Sequence, residues 1–388
     1  MIKTLTSWTG EIDDVDAAVA ELLGKLELEK KPLLKNSLGI VSCYSEYIES
    51  GVLAALAEKL TFPLAGTTTL ACAVPGMAGG THFALTVLSS DDVEFELAAS
   101  GPIFSAEEAP LRAAYEEAAA KHKGAPACMI SFAPLLMNAS GDFFVRAFDA
   151  ITGGVPNFGT LAVDHTSDYH ESRTIMGGEA FPDRYVFILL YGEAHPSFFV
   201  AGISEEKAFR EKGVVTAAEG NQLKTVNNMP VADYLLSLGL LKDDDGHIIG
   251  LNSYPFILDY NDGSRPVVRV MFALTPDGSA VCGGEMPLGS TLTVGKIDGG
   301  EVLGTTEKVL REALNQKKTG GMLMFSCVGR YFAQGYDSTQ EMEKTADILA
   351  GRLPWHLSYS GGELCPVSGR DGKLINRSHN DTLVVCLF

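Results

Sequence analysis

Residues 37–43 read Ser-Leu-Gly-Ile-Val-Ser-Cys, and residues 63–69 read Pro-Leu-Ala-Gly-Thr-Thr-Thr. Between them Ile48, Val52, Leu53, Leu56 and Leu60 recur at helical spacing. An apolar run of strand length, an amphipathic helix and a proline-led return spell a strand–helix–strand unit. Strands follow near 82–89 and 93–98. The same order recurs downstream. Ala127-Cys-Met-Ile-Ser-Phe132 leads into a helix near 141–152 and then into Pro156-Asn-Phe-Gly-Thr160, which aligns with Pro63-Leu-Ala-Gly-Thr67. An insertion rich in Asp, His, Ser and Gly runs to about Asp183, before a strand over 184–191 and an apolar segment over 196–202. A third, looser copy opens with Gly321-Met-Leu-Met-Phe-Ser-Cys327, passes through a helix to Pro354 and ends in a strand over 382–388. The shared Pro-x-x-Gly-Thr is short. It leaves two readings open: internal strand–helix–strand–strand repeats, or the ordinary alternation of an α/β chain.

These elements predict an α/β fold of the mixed α+β kind, with two regions of mixed β-sheet flanked by helices. The expected division is 1–215 and 216–388. The segment between the second and third copies differs from them. It reads as a short helix over 230–239, with proline at its start, and strands over 254–276 and 278–294 joined by Gly/Asp turns. Expected helix caps are Asp13 or Asp14, Ser105 with Glu108, Thr305 or Thr306, and Ser338 with Glu341.

The 388 residues carry 30 Lys and Arg against 49 Asp and Glu, a formal net charge of −19. A field of that sign repels nucleic acid and anionic lipid, and no Lys/Arg run offsets it. The N-terminal stretch lacks a secretory pattern, and no apolar run approaches the roughly 20 residues of a membrane span. Seven widely spaced cysteines, an odd number with no CxxC pair, predict reduced thiols and a cytoplasmic location. Walker, GxGxxG, HExxH and GxSxG motifs are absent from the sequence.

Phe325-Ser-Cys-Val-Gly-Arg330 places a thiol at a strand end, with Gly329 and Arg330 behind it. Strand ends of this kind commonly hold ligands in α/β sheets. Cys327 and Arg330 are therefore a candidate thiol and anion partner, or else a core thiol and a structural ion pair. Tyr359-Ser-Gly-Gly-Glu363, followed by Cys365, offers a sharp backbone turn and a carboxylate that pairs with Arg330 or with ligand. Asn376-Arg-Ser-His-Asn-Asp381 enters the last strand with a dense set of donors and acceptors. His165 and His170 lie with Asp164 and Asp168 in the insertion. Two readings are open there, a divalent-metal site and a solvated loop; the loop is the expectation, and no metal site is assigned.

Phe-Ser-Cys-Val-Gly-Arg (325–330), Tyr-Ser-Gly-Gly-Glu-Leu-Cys-Pro (359–366) and Ser-His-Asn-Asp-Thr-Leu-Val-Val (378–385), in that order, resemble the FIST family. Residues 37–43, 63–68 and 215–233 resemble its N-terminal region and the junction with its C-terminal region. The resemblance implies a small-molecule-binding sensory protein in signal transduction, without catalysis of its own. It carries Cys327, Gly329, Arg330, Gly362, Glu363 and Asn380 over as recurring motif positions. It also implies a second reading, a haem-binding nitric-oxide sensor acting on a partner histidine kinase. His356, His379 and Cys365 are the axial candidates, named for their nearness to the C-terminal motifs. A third reading is an enzyme with Cys327 as nucleophile and His379 as base. The ligand itself is not legible.

Overall fold

The computed structural model describes residues 2–245 and 247–388. Its elements fall into three repeats of one order: edge strand, helix, strand, helix, parallel strand, hairpin, return strand. The first repeat runs through strand Lys3–Thr9, helix Val15–Leu26, strand Asn36–Cys43, helices Glu46–Glu49 and Val52–Lys59, strand Leu64–Thr68, hairpin Cys72–Val74/Met77–Gly79 and strand Phe83–Ser90. The second has Val93–Ala99, helix Ala109–Ala119, Cys128–Ala133, helix Gly141–Thr152, Asn157–Leu161, hairpin Thr174–Met176/Glu179–Phe181 and Val186–Gly192. The third has Ser197–Ala201, helix Gly299–Leu314, Met322–Cys327, helices Val328–Ala333 and Gln340–Leu349, Trp355–Ser360, hairpin Glu363–Ser368/Leu374–His379 and Leu383–Leu387. The repeats read from the sequence are therefore structural.

The prolines explain why the pattern survives weak sequence likeness. Proline lacks an N–H, so it suits the start of a strand. Its carbonyl still accepts, and it does so alike in all copies: Gly39 N–H donates to Pro63 O at 2.9 Å, Met129 to Pro156 at 2.8 Å and Met322 to Pro354 at 3.0 Å. Each bond sets the register of the parallel pair that follows. Gly66 and Gly159, three residues beyond their prolines, pair with Val41 and Ser131. A Cβ there would lie 1.9 Å and 2.3 Å from the partner carbonyl oxygens, so glycine is required.

Each repeat sends its hairpin to a neighbour's sheet. The first repeat's hairpin pairs with Trp355–Ser360, the second's with Leu64–Thr68, and the third's with Asn157–Leu161. Three six-stranded sheets result, interlocked in a cycle. Their inner faces share one core, including Ile40, Leu88, Ile130, Phe158, Ile188, Phe325 and Val384. Their outer faces are covered by each repeat's own helices in three further clusters. Strands buried on both faces read as continuous apolar runs, which is why the sequence marks them clearly.

Between Ser197–Ala201 and Gly299–Leu314 the third repeat carries an insert with an eight-stranded sheet and its own core. The 215/216 division falls inside its strand Ala208–Glu219. Arg269 docks the insert onto the second repeat: fully buried, it meets Asp142 at 2.7 Å and donates to Ser378 O at 2.8 Å.

Three expected caps differ. Ser105 binds Glu107 and does not cap its helix. Asp298, accepting from Glu301 N, starts the helix in which Thr305 and Thr306 are interior. Glu341 faces the core, and Gln334 Oε1 accepts from its N–H. Ser105 is claimed by a local contact, whereas Thr305, Thr306 and Glu341 are claimed by tertiary ones around Arg330. Asp14 caps Val15–Leu26 as expected.

Candidate functional site

The carboxyl ends of the parallel strands meet where the exchanged hairpins begin. Cys327 closes Met322–Cys327 and stands opposite Ser360 in the parallel pairing. Its N–H donates to Thr382 O at 2.9 Å, which ties the thiol to the start of the last strand. Gly329 follows at the opening of helix Val328–Ala333. A Cβ on Gly329 would lie 1.9 Å from Asp381 Oδ1, so only glycine lets that carboxyl approach the turn. Asp381 itself has a φ of +49°, a conformation Asp and Asn tolerate better than most residues. The Ser360-Gly361-Gly362 turn then delivers Glu363. Gly362, at φ +154°, accepts through its carbonyl from Leu161 N and from Ser360 Oγ.

Cys327, Glu363 and Asp381 are thus neighbours, and all are buried. Thr382 Oγ1 donates to Glu363 Oε2 at 2.8 Å. Glu363 Oε1, Asp381 Oδ2 and Asn380 Oδ1 are buried and have no protein partner. Such an orphan costs about 1–3 kcal/mol. Burial drives the titration of this group. Asp381 is pushed up to about 7, and Glu363 rises well above the usual carboxylate range. The Cys327 thiol rises as well, from burial first and then from the adjacent Glu363 and Asp381. It is held as a thiol at neutral pH, the opposite of an activated nucleophile. Near neutrality the cluster is rich in acceptors and carboxyls and poor in cations.

Arg330 makes no hydrogen bond to this cluster, although its charge pulls Glu363 and Asp381 down against the effect of burial. Its guanidinium turns to the helix layer, where Glu341 Oε1 lies 3.0 Å from Nε and 2.7 Å from Nη2. Thr305 Oγ1 accepts from Nη1 at 3.2 Å and Val302 O from Nη2 at 3.0 Å. Arg330 is fully buried there, which corrects its assignment as anion partner of Cys327 or Glu363. An arginine already given a carboxylate has no strong reason to hold a second anion.

The three axial candidates do not fit haem. His356 has both nitrogens engaged, by Thr86 Oγ1 at 2.8 Å and Ser42 Oγ at 2.9 Å, and burial lowers it to about 4. Cys365 is fully buried, and burial holds its thiol protonated. His379 Nε2 meets Cys365 O at 3.1 Å, and burial lowers the ring to about 3. Clefts of about 690, 450 and 290 Å³ are lined by none of these three residues, nor by Cys327, Glu363, Asn380 or Asp381.

Sequence reasoning noted Asp381 and Asp164 without assigning either a place in this cluster, and it missed Tyr169. Tyr169 has Cys327 and Asp164 as electrostatic neighbours and links the second repeat's long connection to this site. Asp381 was signalled by its place at the end of Ser-His-Asn-Asp, where a polar run meets a buried strand. Its carboxyl's approach to Gly329, 52 residues earlier, carries no local mark.

No helix among the described residues is long and apolar enough to cross a membrane. The seven cysteines are free and buried. No protein of curated function matches the sequence. A solved cyanuric acid hydrolase from A. caulinodans aligns over 100% of this chain and 99% of that chain at 13% identity and a TM-score of 0.30, a likeness too slight to carry an argument. The FIST N domain matches residues 37–229 and the FIST C domain residues 231–366, so the chain belongs to the FIST family, whose domains are associated with sensory signal transduction and small-ligand binding.

Proposed function

We propose that this chain is a cytoplasmic sensor that binds a small molecule at the cluster of Cys327, Glu363, Asn380 and Asp381, and that it acts on a separate signalling protein of the histidine-kinase class. The observation that carries the reading is the trio of buried, unpartnered acceptors, Glu363 Oε1, Asn380 Oδ1 and Asp381 Oδ2, at the meeting of the interlocked sheets. Buried acceptors need donors. The ligand is therefore donor-bearing: an amine, amidine or urea, not an anion. Gly329 and Gly362 serve the site by letting backbone and carboxyl approach closely, and Arg330 serves it only by holding the third repeat together. Catalysis is not part of the reading, because the buried thiol lies on the protonated side of its titration.

The test is a thermal-shift screen of primary amines, amidines and ureas at millimolar concentration. A compound at a hundredfold its Kd adds about 2.7 kcal/mol, or roughly 3 °C for a chain of this size. The shift should vanish in Asn380→Ala and fall in Glu363→Gln. For a cationic hit, affinity should rise from pH 5 to pH 8 as Asp381 gives up its proton. A screen without hits, or a shift that both variants retain, removes the proposal.

A further inference from the structure

We propose a divalent-metal site formed by Asp164, His165 and Glu171, with Ser45 beneath it. The first indication is a break in the threefold pattern. The connection from parallel strand to exchanged hairpin spans 69–71 in the first repeat and 361–362 in the third, but 162–173 in the second. All three proposed ligands lie in that longer connection.

Each of the three offers one donor atom, and these atoms lie within 4.8 Å of one another. A second observation is independent of that clustering. Asp164 is fully buried; its Oδ1 accepts from Thr166 N and Thr166 Oγ1, while its Oδ2 has no partner. A buried carboxylate oxygen without a donor calls for a cation or a donor group. The other two ligands are held in place from the first repeat. The His165 ring lies over Tyr44 with centroids 4.3 Å apart. Ser45 Oγ donates to Glu171 Oε2 at 2.8 Å and lies 3.4 Å from His165 Nδ1. Outer partners of this type orient metal ligands.

One imidazole and two carboxylates suit Zn²⁺, Mn²⁺ or Fe²⁺ better than Ca²⁺ or Mg²⁺, which take oxygen ligands. Bonds of about 2.0–2.2 Å set neighbouring ligand atoms roughly 3–4 Å apart, so closure needs movements of about an ångström or less. His165 and Glu171 are about a third exposed, which leaves an entry path and open coordination positions. The neighbouring Asp168–His170 pair, 2.7 Å apart and largely exposed, is a solvated contact outside the site. The same connection carries Tyr169, which has Cys327 as an electrostatic neighbour.

The experiment titrates chelator-stripped full-length protein with Zn²⁺, and separately with Mn²⁺, against a chromophoric competitor. One equivalent should bind with a Kd below about 10 µM. His165→Ala, Glu171→Gln and Asp164→Asn should each weaken binding at least tenfold, and His170→Ala should leave it within twofold. His165 and Glu171 are partly exposed, so their variants test the site even if Asp164→Asn misfolds. Co²⁺ in the wild type should give a visible ligand-field spectrum that His165→Ala abolishes. Absence of saturable one-to-one binding, or an equal loss in His170→Ala and His165→Ala, overturns the assignment.

Discussion

Arg330 and Glu341 form a fully buried ion pair, Nη2 to Oε1 at 2.7 Å, inside the helix layer of the third repeat. The other carboxylate oxygen accepts from Ser326 Oγ at 2.7 Å and from Tyr359 OH at 3.1 Å. With Thr306 Oγ1 donating to Oε1 at 2.8 Å, one carboxylate thus joins three helices to both parallel strands of the repeat. The arginine that looks like a ligand residue is the centre of a structural knot.

Removing one partner strands the other in an apolar layer. Arg330→Ala should cost about 3–5 kcal/mol. Replacing both, as Arg330→Met with Glu341→Leu, should recover most of that loss. Urea unfolding measures each. A loss below about 1 kcal/mol in the single variant would mean that water or another group reaches Glu341.

Asp381 makes stability depend on pH. Its carboxyl titrates at about 7 when folded, against about 4 when unfolded. The folded chain therefore binds more protons through that window. The stability present below pH 4 is lost as the pH rises to about 7, and then levels off. The full shift corresponds to about 4 kcal/mol, an upper bound on the change. Asp381→Asn keeps the shape and tolerates the positive φ. Its unfolding free energy should fall less between pH 5 and pH 8 than that of the wild type, and parallel curves would refute the assignment.

The last strand lies between two others, pairing with Ser197–Ala201 on one side and Met322–Cys327 on the other. Val384, Val385 and Leu387 are fully buried. Burial of each contributes about 1.5–3 kcal/mol. Deleting 384–388 removes an amount comparable to the 5–15 kcal/mol that holds a typical domain. The truncated chain should show no cooperative melting by calorimetry; an intact transition would show that the strand is dispensable.

Much of this was legible locally. A strand buried on both faces announces itself as an apolar run, and a proline-led return announces the parallel strand beside it. Residues 37–43, 127–132 and 321–327 were readable for that reason, as was the helix over 141–152. Cys327 was readable as a strand end and Glu363 as the residue after a glycine turn, but not which group each would meet. Arg330 was not, because its side chain had two carboxylates within chain reach, and the choice of Glu341 depends on how two helices pack.

The sequence by itself determined the strand–helix–strand core of each repeat, because that order follows from short-range periodicity and from proline's missing N–H; the edge strand Lys3–Thr9 and the exchanged hairpins carried no such mark. Only the tertiary structure decided that each hairpin crosses to another sheet, that three sheets close around one core, and that Ser45 meets His165 and Glu171. Those outcomes join residues far apart in the chain. Their selection rests on burying every inner face at once, which no local window of sequence encodes.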